Sequence, residues 1–176
     1  MTSPNSFSVS ALVRVRNNTP RCVSPRIGMY IMVVMRGEKG ISLIKEMEYK
    51  EQLESTKKYY PFARWRENFF PPKDEPELGG MEQYTQENCD KAQAVFDKLI
   101  EELIFVGQSV DEKDKVEIFK RAILSLNKLN DEVDGLIETG EREDLCELID
   151  QISIAADMNP KNYGDGEGIA DQWREW

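Results

Sequence analysis

Apolar residues recur at every third or fourth position through much of this chain, and that spacing restricts its fold more than any other feature. The spacing matches the period of an α-helix with one buried face. Three successive runs carry it, with apolar positions at Ala92, Val95, Phe96, Leu99, Leu103 and Val106, then Val116, Phe119, Ala122, Ile123, Leu126 and Leu129, then Leu145, Ile149, Ile152 and Ala156. Short links between such helices favour antiparallel neighbours. The sequence therefore predicts a mainly α fold, a small antiparallel bundle of about four helices.

Local signals place the ends of the central helices. Thr85 is a suitable N-cap for the first of the three runs, and Gly107 is a suitable end. The segment SVDE, in which Ser109 and Glu112 have the spacing of a capping box, predicts the start of the next helix.

The part of the chain before these runs gives a weaker helical signal. Residues 41–60 contain good helix formers but few aligned apolar positions, and Pro61 is expected to end that helix. Residues 61–80 hold four prolines among several aromatic residues, which predicts a non-helical connection that covers the edge of the core.

The charge of the chain changes abruptly near residue 37. Residues 1–36 contain five arginines and no acidic residue, whereas the remainder contains 18 basic and 33 acidic residues. A change of this kind marks a boundary. We therefore expect a basic N-terminal extension at residues 1–46. It either forms a short β-ribbon, is a disordered arm, or lies outside the functional core. The acidic helical domain is expected at residues 47–176.

Composition argues against several classes of function. A net charge of -10 disfavours nucleic acid and anionic membrane surfaces as ligands, since both attract cationic proteins. The chain has no histidine and its three cysteines are far apart, which excludes Cys/His zinc sites and His-based triads. The longest apolar run, residues 27–35, is too short to span a bilayer. Because few, dispersed cysteines fit a reducing compartment, we expect a cytoplasmic protein. We expect no cofactor.

The stretch DEVDGLIETGEREDLCELIDQI, residues 131–152, concentrates acidic residues around one turn and one helix. The acidic residues expected in the first turn, at the positive end of the helix dipole, are Glu141, Glu143 and Asp144. Farther along, Glu147 and Asp150 are expected on the outer face of the helix. These carboxylates fit either a solvated helix face or a surface that binds a basic partner.

A metal site is the third interpretation of these carboxylates. An all-α, magnesium-dependent nucleotide pyrophosphatase would use carboxylates three positions apart on two facing helices. Asp114 and Glu117 have this spacing, as do Glu147 and Asp150. The spacing makes a hydrolase of this type an alternative function, although no phosphate clamp rich in Lys or Arg accompanies the two pairs.

The segment DQWREW places two tryptophans, Trp173 and Trp176, on either side of Arg174 and Glu175. One interpretation is a segment docked on the bundle, with Arg174 paired to the acidic helix. The other is an exposed aromatic anchor at an interface, where Trp and Arg are enriched.

Three short motifs, LIET, ERE and REW, give the chain a family resemblance. The residues that carry it, together with the helix end before them, are Leu129, Asn130, Ile137, Glu138, Thr139, Arg142, Glu143, Arg174, Glu175 and Trp176. Over residues 47–176 the chain resembles a family of small, acidic, helical bacterial proteins of unknown function, similar in type to toxin-immunity proteins. The resemblance implies structural roles first. Arg174 would pair with Glu138 or Glu143, and Thr139 would cap the last helix.

These observations favour a non-catalytic protein-binding module over an enzyme. In this hypothesis an immunity-type protein neutralises a basic protein partner. The residues expected to contact that partner are Glu143, Glu147, Asp150, Trp173 and Trp176. One alternative is the magnesium-dependent hydrolase, with metal ligands at Asp114, Glu117, Glu147 and Asp150. The other is an acidic soluble housekeeping protein, and the sequence leaves the oligomeric state open.

Overall fold

The computed structural model describes residues 38–74 and 76–176 of the chain. Within them the chain forms five α-helices and several short 3-10 turns, without any β-strand. The helices are α1 (Glu38–Ser55), α2 (Phe62–Glu67), α3 (Gln86–Val106), α4 (Glu112–Glu132) and α5 (Thr139–Ala155). Four of them are long, which confirms the predicted mainly α fold with about four helices. The expected β-ribbon or basic arm lies outside the described residues, and α1 continues across residues 46 and 47, where the sequence predicts a domain boundary.

Helices α3 and α4 form the antiparallel pair that their apolar spacing predicts. Thr85 is the N-cap of α3, and its side chain accepts a hydrogen bond from the backbone N–H of Asn88 at 3.2 Å, so the predicted cap is confirmed. Gly107 ends the helix with a φ of 82°, a conformation that glycine adopts without strain. Arg121 of α4 forms an ion pair with Glu102 near the end of α3 at 2.5 Å.

The start of α4 differs from the prediction. Its N-cap is Asp111, whose side chain makes no capping hydrogen bond, so the predicted SVDE capping box is wrong. Tertiary contacts hold this loop instead. The buried ammonium group of Lys115 donates to the carbonyls of Gln108 and Ala156 at 2.9 and 2.8 Å. Because Ala156 is the C-cap of α5, this lysine ties the α3–α4 loop to the end of α5.

Helix α2 contradicts the prediction of a non-helical connection. Phe62 and Trp65 are three positions apart, so a helix buries both on one face. The ring centroid of Phe62 lies 5.2 Å from that of Trp65 and 5.7 Å from that of Phe96 on α3. The first helix is shorter than expected, since α1 ends at Ser55 and a 3-10 turn follows before Pro61. Burial of Phe62 and Trp65 against α3 therefore makes this segment helical, although its own residues give only a weak helical signal.

One buried apolar cluster joins the helices to the C-terminal segment, defined here as residues 158–176. Helix α3 packs against α1, α2 and α4, whereas α5 packs against α1 and the C-terminal segment. The segment contains three 3-10 turns, and the last of them contacts both α4 and α5 and buries Ile169 and Ala170. None of the helices in the described ranges combines the length and the apolar composition needed to cross a membrane. The segment therefore completes the core beside the acidic helix.

Candidate functional site

Helix α5 begins with an N-cap residue that is hydrogen-bonded to an acidic side chain in the first turn. Glu138 is the N-cap, and its backbone N–H donates to the carboxylate of Glu141 at 3.3 Å. Burial raises the pKa of the Tyr84 phenol, and the nearby carboxylate of Glu141 raises it further. The predicted cap at Thr139 is wrong, because Thr139 is already the first helical residue. Glu141 therefore lies near Tyr84, in the loop that precedes α3.

Asp144, one turn farther along, holds α2 against α5. Its carboxylate accepts a hydrogen bond from the indole Nε1 of Trp65 at 2.8 Å and also binds the guanidinium of Arg64. The indole of Trp65 is buried, so its N–H needs a partner, and an ionised acceptor gives a strong bond. Sequence reasoning missed this contact because the two residues are 79 positions apart.

The outer row of α5 consists of Glu143 and Glu147, named here the acidic ridge. Both side chains are exposed, and they lie one helical turn apart on the same face. Neither forms an ion pair or a side-chain hydrogen bond with any other residue of the described part of the chain. The predicted outward position of Glu147 is confirmed. The ridge is thus free to contact a partner.

Asp150, which the sequence predicts on the same outer face, is half-buried. A Cβ atom added to Gly168 of the C-terminal segment would lie 2.7 Å from its Oδ1, so the backbone passes directly over the carboxylate. Gly168 has a φ of 105°, which also requires glycine. Burial raises the pKa of Asp150 above its usual range. The predicted exposure of this residue is therefore wrong, because the C-terminal segment covers it.

Asn127 of α4 holds the C-terminal segment in place. Its side-chain amide donates to the carbonyl of Trp173 at 2.8 Å, and its oxygen accepts from the backbone N–H of Glu175 at 3.3 Å. Asn127 is buried, and it occupies the position one turn after Ile123 on the apolar face. The sequence signal for this contact is a polar residue within an otherwise apolar face. We call this pair of hydrogen bonds the Asn127 clasp.

The two tryptophans of this segment are half-buried against the core. The ammonium of Lys120 lies 5.8 Å from the ring centroid of Trp173. The guanidinium of Arg174 binds Asp171 and donates to the carbonyl of Trp176 at 2.8 Å. The predicted pairing of Arg174 with Glu138 or Glu143 on the acidic helix is therefore wrong, since a closer acid lies in its own segment.

The alternative metal ligands are not assembled into a cluster. Asp114 and Glu117 line a groove against the end of α3, whereas Asp150 lies under Gly168. Glu147 is exposed on the ridge. In residues 38–74 and 76–176 no three Cys, Asp or Glu side chains come close enough together to hold a metal ion.

The remaining motif residues lie at or near the turn between α4 and α5. Leu129 and Ile137 are buried, and the side-chain oxygen of Asn130 accepts a hydrogen bond from the backbone N–H of Ile137 at 2.9 Å. Arg142 is half-buried on α5, and the side chain of Glu175 is exposed. At the turn, Leu129, Asn130 and Ile137 therefore make contacts of the structural kind that the resemblance implies.

Comparison of the chain with protein-family models, with curated proteins and with solved structures finds no match. The resemblance to small acidic bacterial proteins therefore stays a prediction from the sequence motifs. The geometry of the acidic helix is the basis for a functional proposal.

Proposed function

We propose that this protein binds a basic protein partner stoichiometrically, without catalysis, through the acidic ridge of α5. The observation that carries the proposal is a contrast along that helix. Glu141 accepts a hydrogen bond from the N-cap of its own helix, and Asp144 binds Trp65 of α2. The ridge carboxylates Glu143 and Glu147 are instead exposed and unpaired among the described residues. Two carboxylates one helical turn apart can bind the same Lys or Arg side chain of a partner.

The charge of the acidic region supports a basic partner. From residue 37 onward the chain holds 18 basic and 33 acidic residues. An excess of this kind attracts cationic proteins over long range and repels nucleic acid. Because the ridge charges are exposed, salt should weaken the interaction mainly by slowing association.

The C-terminal segment supplies the aromatic part of the proposed surface. It packs against α5, and the Asn127 clasp binds the backbone carbonyl of the half-buried Trp173. Trp176 and Asp150, which are both half-buried, belong to the same proposed contact surface. Rigid aromatic side chains of this kind contribute affinity that exposed charges do not.

In its finer form, the proposal is that this is a cytoplasmic, immunity-type protein that neutralises a basic toxin domain. The acidity of the helical region and its sequence motifs support this form. The magnesium-dependent hydrolase has less support, because the residues described here contain no assembled set of ligands. A housekeeping protein that is acidic only for solubility would have no specific partner at the ridge.

Charge reversal at the ridge tests the proposal. The full chain, the variant E143K/E147K and the control E48K/E51K are immobilised and exposed to an extract of the source organism. The control changes the net charge equally at two exposed positions of α1. We expect one basic protein to be retained by the wild type and the control and to elute from E143K/E147K at much lower salt. Equal retention by both variants, or no basic protein on folded wild type, would contradict the proposal.

A further inference from the structure

A second surface of the molecule, away from the acidic ridge, exposes a large aromatic side chain. Phe105 lies in the last turn of α3, and 90% of its surface is exposed. Burying a phenylalanine side chain normally stabilises a fold, and the described fold does not gain that stabilisation from Phe105. An aromatic residue exposed to this extent beside a groove is typical of an interaction site.

The groove beside Phe105 runs between the end of α3 and the start of α4 and has a volume of about 520 Å³. Its apolar floor is formed by Val106, Val110 and Ile118, and the exposed ring of Phe105 lies beside them. The loop between the two helices is held by Lys115, which donates to the carbonyl of Gln108 in the loop and to that of Ala156 at the end of α5. The groove is therefore formed before any partner binds, which reduces the entropic cost of binding.

The rim of this groove is negative. Arg121 and Glu102 lie on the rim and neutralise each other in an ion pair at 2.5 Å. Asp114 and Glu117 are exposed on the rim and make no ion pair in the part of the chain that the structure describes. An apolar floor with two free carboxylates complements an apolar side chain flanked by Lys or Arg.

We propose that this groove, named the Phe105 groove, binds a basic amphipathic segment of a protein partner. An apolar side chain of that segment packs on Phe105 and the floor, and its cationic residues contact Asp114 and Glu117. The inference rests on the proposed function only in taking the partner to be basic. The acidic helical region of a second copy is a poorer occupant, because it would bring an acidic rim against an acidic rim.

The probe for the test is a short helical peptide with leucines on one face and lysines on the other, labelled with a fluorophore. A peptide of the same charge with serine in place of leucine is the control for charge alone. We expect the full-length protein to bind the leucine peptide much more tightly than the serine peptide. Fluorescence anisotropy at physiological salt measures both affinities.

Matched variants then locate the binding site. Phe105→Ala should weaken binding of the leucine peptide by about tenfold or more, whereas Leu124→Ala on α4, where 45% of the side chain is exposed, should not. The charge reversal D114K/E117K should weaken binding more than E143K/E147K does. Circular dichroism and thermal unfolding show whether each variant keeps its fold.

Each other outcome overturns the groove assignment. Equal binding of the two peptides by the wild type would remove the role of the apolar floor, and so would a complete lack of binding. Peptide binding lost only in E143K/E147K would leave the ridge proposal standing and move the apolar contact to α5. Self-association that Phe105→Ala abolishes would assign the groove to a second copy of the chain.

Discussion

Two neighbouring carboxylates on α5 have opposite relations to the rest of the molecule. Asp144 accepts a hydrogen bond from the buried indole of Trp65, whereas the adjacent Glu143 is exposed and unpaired among the described residues. The sequence around both is equally acidic, so charge alone does not distinguish them. What distinguishes them is a buried donor facing one side of the helix. The carboxylates available to a partner are therefore those that do not accept a hydrogen bond from a buried donor of the same chain.

Removing the two carboxylates one at a time tests this comparison most directly. Asp144→Ala should lower the free energy of unfolding by about 2–3 kcal/mol, because it leaves the buried indole N–H of Trp65 without an acceptor. Glu143→Ala should change it by less than about 0.5 kcal/mol, since it removes an exposed side chain without contacts. Urea unfolding followed by circular dichroism measures both. Equal effects of the two substitutions would mean that the Trp65 contact does not stabilise α2.

The sequence predicts the parts of this fold that depend on local periodicity. The apolar faces of α3 and α4 and the cap at Thr85 follow from spacing and from residue type within a few positions. Helix α2 does not, because its helical conformation depends on burying Phe62 and Trp65 against α3.

The candidate site divides in the same way. Exposure of Glu147 follows from its position relative to the apolar face of α5, and the structure agrees. The half-burial of Asp150 depends on Gly168, and the contact of Asp144 depends on Trp65. These partners are distant in sequence, so no pattern around the acidic stretch could have indicated them. Periodicity predicts a face of a helix, but not what later packs on it.

The Asn127 clasp extends the comparison to the C-terminal segment. Asn127→Ala should destabilise the protein by about 1–2 kcal/mol, because the carbonyl of Trp173 and the N–H of Glu175 lose their partner. Tryptophan emission should shift to longer wavelength as Trp173 and Trp176 become more exposed. Lys128→Ala, at the adjacent exposed position, is the matched control and should leave the emission unchanged. An unchanged spectrum for Asn127→Ala would show that apolar packing alone holds the segment.

The smallest expected effect concerns Asp150. Its carboxylate is half-buried, in contrast to the exposed carboxylate of Glu143 and the hydrogen-bonded carboxylate of Asp144. Burial raises its pKa, so its ionised form is less stable in the folded protein than in the unfolded chain. The folded state therefore binds a proton at a pH where the unfolded chain, with a pKa near 3.8, has lost it. As pH rises through that window, the unfolded chain binds fewer protons and the free energy of unfolding falls. Above the window the full cost of burying the charge remains.

Asp150→Asn removes this charge and should raise the free energy of unfolding at neutral pH by about 0.5 kcal/mol, because solvent screens the exposed part of the carboxylate. The gain should disappear as pH falls below the unfolded-chain pKa of 3.8, because the folded and the unfolded wild-type chains then both hold the proton. Glu147→Gln, a turn away on the exposed ridge, should show no gain at either pH. Urea unfolding at neutral and acidic pH provides the comparison. A gain for Asp150→Asn that persists at low pH would come from the amide's own hydrogen bonds rather than from relief of a buried charge. If Asp150→Asn also weakens partner binding, this carboxylate lowers stability in the free protein and contributes to recognition.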